Sequence, residues 1–440
     1  MSGANRKFDV AIVGARCAGS PLAMMLARRG LSVCLLDRAR FPSDALSTHV
    51  IQPCGVTILR RLGVLDDLLG AGAVPLTRLS LVDEQVRIES ELDLEEMGAP
   101  SISMRRVTLD HLLVEAAESA GAEVRTGTGV TGLIEEDGRV NGVETPLGVV
   151  RASLVVGADG RGSTVASEVG ATEYQVEPPG RLFAWAYFEG VGDREGHLRL
   201  GSQGDLTFVA SPTDGGLYLA AVCPFLEERE AFLAGREAGF EAGLRSWPEL
   251  AALLDGATRI GPIRVMVDWR GYFRHAAGPG WALLGDAGHF KDPTPAQGIS
   301  DALRQASRLA DAIEAGLGGS ADLDSELRRW WRWRDEDAHE MYRFATDLGS
   351  GRSPLLGFEV LRGIAGDEKA SSDLLRVLNH DIPPARLFSG RRIGRAVAGA
   401  IRRRPRLAPA LMRELASEAR NELRHLRRFR PPADHWPASQ

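Results

Sequence analysis

The feature that most constrains the fold is the order of elements in residues 8–37: a strand, a glycine-containing turn, a helix and a second strand. Phe8 to Val13 (FDVAIV) is a short apolar run that ends at Gly14, and Pro21 to Arg29 carries apolar residues at helical spacing. Leu31 to Leu36 is a second apolar run, which ends at Asp37. A unit of about 30 residues is what a right-handed crossover between parallel strands requires. The sequence therefore predicts an α/β domain built on a parallel sheet.

The turn in this unit reads GARCAG, residues 14–19. A dinucleotide site needs a glycine for the tight turn, a close approach of backbone N–H groups to the pyrophosphate, and a carboxylate for the ribose hydroxyls. Gly14, Gly19 and Asp37 meet these needs. Arg16 replaces the middle glycine of GxGxxG, so its side chain must point away from the crowded turn, and a phosphate is one candidate partner. A glycine-punctuated turn without a ligand is the alternative.

Two further motifs follow apolar strands. GADGRGS, residues 157–163, comes after LVV; GDAGH, residues 285–289, comes after WALL and continues through DPTPAQG into a helix predicted from Ala296 to Leu317. An aspartate at a strand end, followed by a glycine-rich helix entry, places a carboxylate and free N–H donors beside a polar ligand. Three such motifs in one chain are hard to explain as ordinary loops.

The sequence pattern changes from Leu182 to Asp268, where short apolar segments alternate with turns rich in Gly, Pro and Asp. This pattern predicts an antiparallel sheet with intervening helices, one face of which covers a cavity. Alternate aromatic residues on these strands should face that cavity, although the sequence does not say which; they are Trp185, Tyr187, Phe208 and Tyr218. Beyond Asp322 almost all of the chain has a helical pattern, and the cluster Trp330, Trp331 and Trp333 favours packing of a terminal helix onto the body.

Composition excludes several classes of protein. No stretch of about 18 apolar residues is present, so we predict no membrane span and a cytoplasmic location. The four cysteines lack metal-type spacing, which predicts neither a metal site nor disulfides. A net charge of -6 gives no global attraction for nucleic acid. The arginine-rich tail, residues 390–431, is typical of a solvated helical face; a carrier-protein partner and a homodimer stay open.

The motifs GARCAG, GADGRGS and GDAGHFKDPTPAQG resemble the three fingerprints of the flavoprotein monooxygenases of the aromatic hydroxylase type. The geranylgeranyl reductases and flavin-dependent halogenases are relatives of that family. The resemblance spans about Phe8 to Ala315. It implies an α/β fold with an α+β second domain: a Rossmann-type FAD-binding domain from 1–180 and 276–320, an inserted antiparallel-sheet substrate domain from 181–275, and a helical C-terminal region from 321–440.

The resemblance also implies a set of FAD-binding residues. The first fingerprint would hold the ADP half of FAD, with Arg38 beside the adenine ribose, and Arg106 would reach the pyrophosphate or the ribityl group. Asp159 would lie near the flavin, tied to NAD(P)H handling, and Asp286 would bind the ribityl chain. The full set is Gly14, Ala15, Arg16, Ala18, Gly19, Asp37, Arg38, Ser47, Thr48, Arg106, Asp159, Gly285, Asp286, Gln297, Gly298 and Ile299.

At the flavin end, the resemblance places the backbone N–H groups of Gln297 to Ile299 at the isoalloxazine edge, and Ser47, Thr48 and His49 under the ring. The chain departs from the fingerprint at Arg16, at Gln297 and Ser300, where glycine and asparagine are usual, and at Lys291, which adds a charge.

The implied chemistry belongs to the cofactor: NAD(P)H reduces the flavin, O2 adds at C4a, and the hydroperoxide transfers one oxygen atom to a hydrophobic, aromatic or polyketide-like metabolite. A reductase or dehydrogenase acting on an isoprenoid or polyene without oxygen transfer would use the same fingerprints. Halogenation is disfavoured because the WxWxIP signature is absent. His289 and His49 are the candidate catalytic residues near the flavin, and for each of them a packed histidine is an equal alternative.

Overall fold

The structure is a computed structural model that describes residues 7–45, 47, 49–83, 86–193, 195–350 and 354–428. Its strands are β1 Lys7–Val13, β2 Val33–Asp37, β3 Val50–Ile51, β4 Val74–Leu76, β5 Arg78–Asp83, β6 Val86–Glu91, β7 Ser101–Ser103, β8 Glu123–Thr126, β9 Gly132–Glu136, β10 Arg139–Thr145, β11 Gly148–Gly157, β12 Glu173–Glu177, β13 Phe183–Glu189, β14 His197–Gln203, β15 Leu206–Pro212, β16 Tyr218–Cys223, β17 Thr258–Met266, β18 Gly271–Arg274, β19 Ala277–Gly278, β20 Trp281–Leu283 and β21 His289–Phe290.

The α-helices are α1 Gly19–Arg28, α2 Pro53–Arg61, α3 Leu65–Gly70, α4 Leu94–Met97, α5 Arg106–Ser119, α6 Thr164–Glu168, α7 Arg229–Ala234, α8 Arg236–Ser246, α9 Pro248–Leu253, α10 Gly298–Leu317, α11 Leu323–Ser350, α12 Pro354–Ala365, α13 Glu368–Leu378, α14 Pro384–Leu387, α15 Gly390–Arg403 and α16 Ala408–Arg428. Short 3₁₀ turns cover Asp214–Gly216, Leu226–Glu228, Gly285–Ala287 and Pro405–Leu407. No helix in the described part of the chain is long and apolar enough to cross a bilayer.

The first sheet has the strand order β19-β20-β11-β1-β2-β8, in which β20, β11, β1, β2 and β8 run parallel. The strands β9 and β10 extend it as an antiparallel hairpin beside β11. The apolar strands are buried on both faces, as parallel strands covered by helices must be. The predicted Rossmann-type domain is therefore confirmed.

The second large sheet has the order β17-β13-β16-β15-β14-β5-β6. All its pairs are antiparallel except β14 with β5, which are parallel. The strands β5 and β6 lie at residues 78–91, which the sequence prediction had assigned to the FAD-binding domain. The prediction missed them because a hairpin of alternating residues does not reveal a partner strand more than 100 residues later in the chain.

The two faces of this sheet pack against different neighbours, because successive side chains on a strand point to opposite sides. On β13, Phe183, Trp185 and Tyr187 join an apolar layer that also contains Ala296 of the third motif and parts of α13. Phe208 and Tyr218 point the other way, under α8 and α9. Trp185 and Tyr187 are therefore the predicted aromatic residues that face the FAD-binding domain.

The C-terminal region is helical, as predicted. Trp330 and Trp331 on α11 are buried in the core of the first sheet, and the Trp330 indole donates a hydrogen bond to the Gln305 carbonyl on α10. The tryptophan cluster thus packs α11 onto the FAD-binding domain. Val397 and Ala400 point inward from α15, whereas Arg402 and Arg404 are exposed.

Candidate functional site: a cleft at the carboxyl ends of the parallel strands

A single cleft lies where the parallel strands β1, β2, β8, β11 and β20 end, the place where open α/β sheets bind ligands. It brings together most of the residues predicted from the three motifs. The predicted residues that line it are Gly14, Arg16, Ala18, Asp37, Arg38, Ser47, Arg106, Asp159, Gly285, Asp286, His289, Gly298 and Ile299. Ala15, Gly19, His49 and Gln297 are buried and do not line it, and Thr48 lies outside the described residues.

The turn after β1 is possible only with glycines. Gly14 has φ +105°, and a Cβ atom there would lie 2.4 Å from the Ala158 carbonyl oxygen. A Cβ atom on Gly19 would lie 1.9 Å from the Gly14 carbonyl oxygen. These distances are far inside van der Waals contact, so the two glycines allow β1, α1 and the loop after β11 to meet. Their closeness leaves backbone N–H groups of the turn beside the cleft.

Asp37, at the end of β2, fixes this turn. One carboxylate oxygen accepts a hydrogen bond from the Ala15 N–H at 2.8 Å, and the other accepts one from the Ala39 N–H at 2.7 Å. A carboxylate has about four acceptor positions, so Asp37 can still accept hydrogen bonds from a ligand in the cleft. Ala15 does not line the cleft itself, but its N–H group helps to hold the Asp37 carboxylate in place.

Two arginines at the cleft share one buried carboxylate. Arg106 makes two contacts with Asp110, at 3.0 Å and 2.9 Å, and the Arg16 guanidinium lies 2.8 Å from Asp110. Burial disfavours a charged Arg106, but Asp110 outweighs it and raises the pKa of that guanidinium. The Arg16 side chain points away from the turn, as expected, and its partners are Asp110 and Ser43. Two positive charges against one negative charge leave a net +1 that suits a pyrophosphate.

The second and third motifs each bring a carboxylate to the cleft. One oxygen of Asp159 accepts hydrogen bonds from the Thr164 and Val165 N–H groups at the start of α6, at 2.7 Å and 3.4 Å. The other oxygen is buried without a hydrogen-bond partner among the described residues. Burial raises the pKa of Asp159, and it raises the pKa of Asp286 to about 6 while Arg161 and Arg106 oppose the shift. Half-buried carboxylates that line a cleft can accept hydrogen bonds from ligand hydroxyls.

The loop before α10 forms the other end of the cleft. Ala296 has φ +53°, a left-handed conformation that cannot continue a helix, so α10 begins at Gly298 and not at the predicted Ala296. Gly298 and Ile299 line the cleft. The Gln297 side-chain amide points away from it and donates a hydrogen bond to the Leu378 carbonyl in the C-terminal region, at 2.8 Å.

Both candidate histidines are buried and uncharged at neutral pH. His289 lines the cleft with its ring packed 4.5 Å from the Phe273 ring, and burial together with Arg334 holds its pKa well below the usual value. His49 has φ +66° and stacks on Tyr187, with its Nε2 atom 2.5 Å from the tyrosine hydroxyl. Burial, then Arg106, lowers the pKa of His49 to about 3.

Sequence reasoning missed several residues of the cleft. Thr128, Gly129 and Val130 come from the loop after β8, which carries no motif. Arg161 lies in the second motif but was given no role, and its guanidinium sits 5.2 Å from the Phe290 ring. Phe183 and Met266 reach the cleft from the second sheet, and only the fold could bring them there.

This donor set fits FAD. The glycine turn and the arginine pair suit the ADP half, and the partnerless Asp159 oxygen and the Asp286 carboxylate at the cleft can accept hydrogen bonds. The ribityl hydroxyls of FAD are donors of the required kind.

Comparison with known proteins agrees with this geometry. The family described as "FAD binding domain" matches residues 7–344. The chain is 31% identical over 323 residues to 6-methylpretetramide 4-monooxygenase from Streptomyces rimosus, covering 70% of this chain and 76% of that protein. It is 24% identical over 330 residues, 72% of this chain and 79% of the relative, to 1H-pyrrole-2-carbonyl-(peptidyl-carrier protein) brominase from Pseudoalteromonas luteoviolacea (strain 2ta16).

Among solved structures, the flavin-dependent brominase Bmp2 superposes with a TM-score of 0.74 at 19% identity, covering 95% of this chain and 100% of that one. At this identity the likeness shows the shared fold alone, including the helical C-terminal region. The family match extends over the three motifs, both large sheets and most of α11. The chain therefore belongs to the FAD binding domain family and is an FAD-dependent oxidoreductase of monooxygenase type.

Proposed function

We propose that this oxidoreductase is an NAD(P)H-consuming monooxygenase that inserts one oxygen atom from O2 into a hydrophobic metabolite of aromatic or polyketide type. The observation that carries the proposal is the apolar layer on the face of the second sheet that borders the cleft. We name it the aromatic layer, after Phe183, Trp185 and Tyr187 of β13. Phe183, Met266 and Phe290 belong to this layer and also line the cleft. An apolar wall beside a redox cofactor excludes water and favours a hydrophobic substrate.

Bound FAD would supply the redox chemistry, by accepting electrons from NAD(P)H and activating O2. The residues of this chain then bind and orient. Arg106 and Arg16 would hold the pyrophosphate, Asp37 the ribose, and Asp286 the ribityl chain. Asp159 would help to place the nicotinamide nucleotide.

The His49–Tyr187 pair is the polar feature of the aromatic layer. The Tyr187 hydroxyl meets His49 at 2.5 Å, and the His49 Nδ1 atom is buried without a hydrogen-bond partner among the described residues. A non-glycine residue at positive φ is costly and is found preferentially at functional sites. We infer that Tyr187 orients a hydroxyl or carbonyl of the substrate and that neutral His49 positions Tyr187. His289 would serve as a neutral neighbour of the cofactor.

The 31% identical relative is named as a monooxygenase, which supports oxygen transfer. The alternative is a reductase or dehydrogenase of an isoprenoid or polyene. The brominase relative is named for a substrate on a peptidyl-carrier protein, so a carrier-bound substrate belongs among the ligands to be tested.

The test is anaerobic stopped-flow absorbance of the FAD-loaded protein mixed with NADH or NADPH, then with oxygenated buffer, followed by product mass spectrometry. A panel of polycyclic phenols, alkylated aromatics and polyenes, free and carrier-bound, supplies the substrate. We expect a ligand-dependent product that gains one oxygen atom. A product that differs only by two hydrogens would replace this proposal with the reductase, and a flavin that neither nucleotide reduces would contradict both.

A pair of tyrosine variants tests the role of the aromatic layer. We expect Tyr187→Phe to lower kcat/KM for the oxygenated ligand by roughly tenfold, about the effect of one lost hydrogen bond to a positioned substrate. Tyr218→Phe is the matched control, because Tyr218 lies on the same sheet but faces the opposite side. FAD affinity should stay unchanged in both variants. Equal kcat/KM values in Y187F and Y218F would show that Tyr187 does not orient the substrate.

A further inference from the structure

Three charged or titratable side chains form a buried triad at the flavin end of the cleft. The Lys291 ammonium lies 2.7 Å from one oxygen of Asp301, and the His380 Nε2 atom lies 2.8 Å from the other oxygen. Their side chains are 5%, 11% and 5% exposed, respectively. Burial of three such groups is costly unless they are paired, so the arrangement needs an explanation.

The triad joins three separate parts of the chain. Lys291 comes from the loop of the third motif, Asp301 from the first turn of α10, and His380 from the segment after α13 in the C-terminal region. Lys291 and Asp301 both line the cleft. Neighbouring residues hold the C-terminal segment in place: the Asn379 side chain accepts a hydrogen bond from the Cys54 N–H at 2.7 Å, and the Leu378 carbonyl accepts one from Gln297.

The resting triad carries no net charge. Burial lowers the pKa of His380 despite the nearby Asp301, so the imidazole is neutral at pH 7. Burial opposes the charged form of Asp301, but Lys291 and His380 hold its pKa well below the usual value. One positive charge on Lys291 and one negative charge on Asp301 therefore cancel.

The ionisable groups around the triad are paired or hydrogen-bonded outside it, except Asp286, whose pKa burial raises to about 6 with a smaller contribution from Asp301. Arg304, which faces His380, lies 2.7 Å from Asp337. Arg334, which faces His289 beside Lys291, lies 2.7 Å from Asp335. Asp292 on the same loop accepts hydrogen bonds from Thr294. His289 is itself neutral. Within the triad, the pKa of Asp301 is held well below its usual value, so proton uptake by His380 is the step that would change the triad from neutral to net positive.

We propose that His380 takes up one proton when the cofactor in this cleft is reduced, so that the triad balances the negative charge gained there. The inference rests on the proposed function, since it assumes that FAD binds with its ring at this end. The hydride from NAD(P)H carries two electrons and one proton into the site, and the oxidised nucleotide leaves. The site gains one negative charge, and the imidazole gains one proton from solvent. Asp301 keeps its charge and holds both neighbours.

The test is the slope of the midpoint potential against pH, measured by spectroelectrochemistry on the FAD-loaded protein between pH 6 and pH 8. This slope counts the protons taken up per electron, and it needs neither NAD(P)H nor a substrate. Failure of the proposed monooxygenase reaction would therefore leave the measurement intact. His380→Gln keeps an N–H donor for Asp301 but cannot titrate. His111→Gln is the matched control, because His111 is a half-buried histidine of α5 that lies beside Glu115 and does not line the cleft.

We expect a steeper slope in the wild type and in H111Q than in H380Q, with a difference of roughly half a proton or more per two electrons. An identical slope in H380Q would overturn the proposal and leave the triad as a structural brace. If H380Q does not retain FAD, His380→Asn decides. Its shorter amide side chain cannot titrate either, so the slope should again fall below that of the wild type. A wild-type slope in H380N contradicts the proposal.

Discussion

The two ends of the cleft are built by different means. One end, which we predict to be the adenosine end, is built from a contiguous turn and one aspartate. Gly14 and Gly19 allow close backbone contacts, and Asp37 holds the turn through hydrogen bonds from N–H groups. At the opposite end, which we predict to be the flavin end, Lys291 and Asp301 line the cleft, and His380 packs behind them from a distant part of the chain. Lys291, Asp301 and His380 meet there.

This difference teaches where each end is sensitive to mutation. A backbone site tolerates no added side-chain atom, because the clash is with main chain that cannot move away. A side-chain site tolerates changes of shape, but it responds to the loss of one charge that leaves another charge buried.

The largest effect is expected at the adenosine end, from Gly14→Ala. The added Cβ would lie 2.4 Å from the Ala158 carbonyl oxygen, and the backbone has φ +105°. We expect FAD affinity, measured by fluorescence titration, to fall on the order of a hundredfold or more because the phosphate-binding turn opens. Gly30→Ala is the control: Gly30 also has positive φ, but its Cβ would meet nothing within 4 Å. It should cost about 1 kcal/mol of stability and no affinity. Equal FAD affinity in the two variants would refute the backbone argument.

The second effect concerns the arginine pair between the two ends. Asp110→Asn removes the carboxylate that Arg106 and Arg16 share and leaves the buried Arg106 unpaired. We expect the free energy of unfolding, from urea denaturation, to fall by about 3–5 kcal/mol. Asp311→Asn breaks an exposed pair with Arg29 and should cost less than about 0.5 kcal/mol. A small loss in D110N would show that the two arginines do not need their buried partner.

The third effect depends on pH and comes from Asp286. Its pKa in the folded protein is raised from 3.8 to about 6 by burial, so the folded state disfavours the ionised form. The penalty is absent below about pH 4 and grows as the pH rises through 6, reaching at most about 3 kcal/mol. We expect Asp286→Asn to stabilise the cofactor-free protein at pH 8 but not at pH 4, and to bind FAD about tenfold more weakly. A stability gain that does not depend on pH would contradict the assigned cause.

Much of the adenosine end could be predicted from sequence. The positions of Gly14, Gly19 and Asp37 are fixed by local strand, turn and helix signals, and the structure brings them together as expected. Arg106, expected among the cofactor-binding residues, also lines the cleft. Its Asp110 partner was not identified, because an ion pair between side chains one turn apart looks the same on any exposed helix.

The substrate side was much less predictable. The alternating pattern on β13 predicted two faces, but not that Trp185 and Tyr187 face the FAD-binding domain while Phe208 and Tyr218 lie under helices. For the same reason the sequence did not reveal that β5 and β6 belong to this sheet. Residues 78–83 of β5 pair in parallel with residues 197–202 of β14, and β6 pairs with β5. Pattern within a strand fixes which residues share a face, but the neighbouring strand and the covering layer depend on the whole fold.

The sequence by itself determined the Rossmann-type domain, the three cofactor motifs and the glycines that shape the first turn, because each depends on the backbone conformation of a few consecutive residues. Only the tertiary structure decided which aromatic face meets the cleft and that His380 of the C-terminal region meets Lys291 and Asp301. Those contacts arise from packing between distant elements, and a single sequence records no distance between residues that lie far apart in the chain.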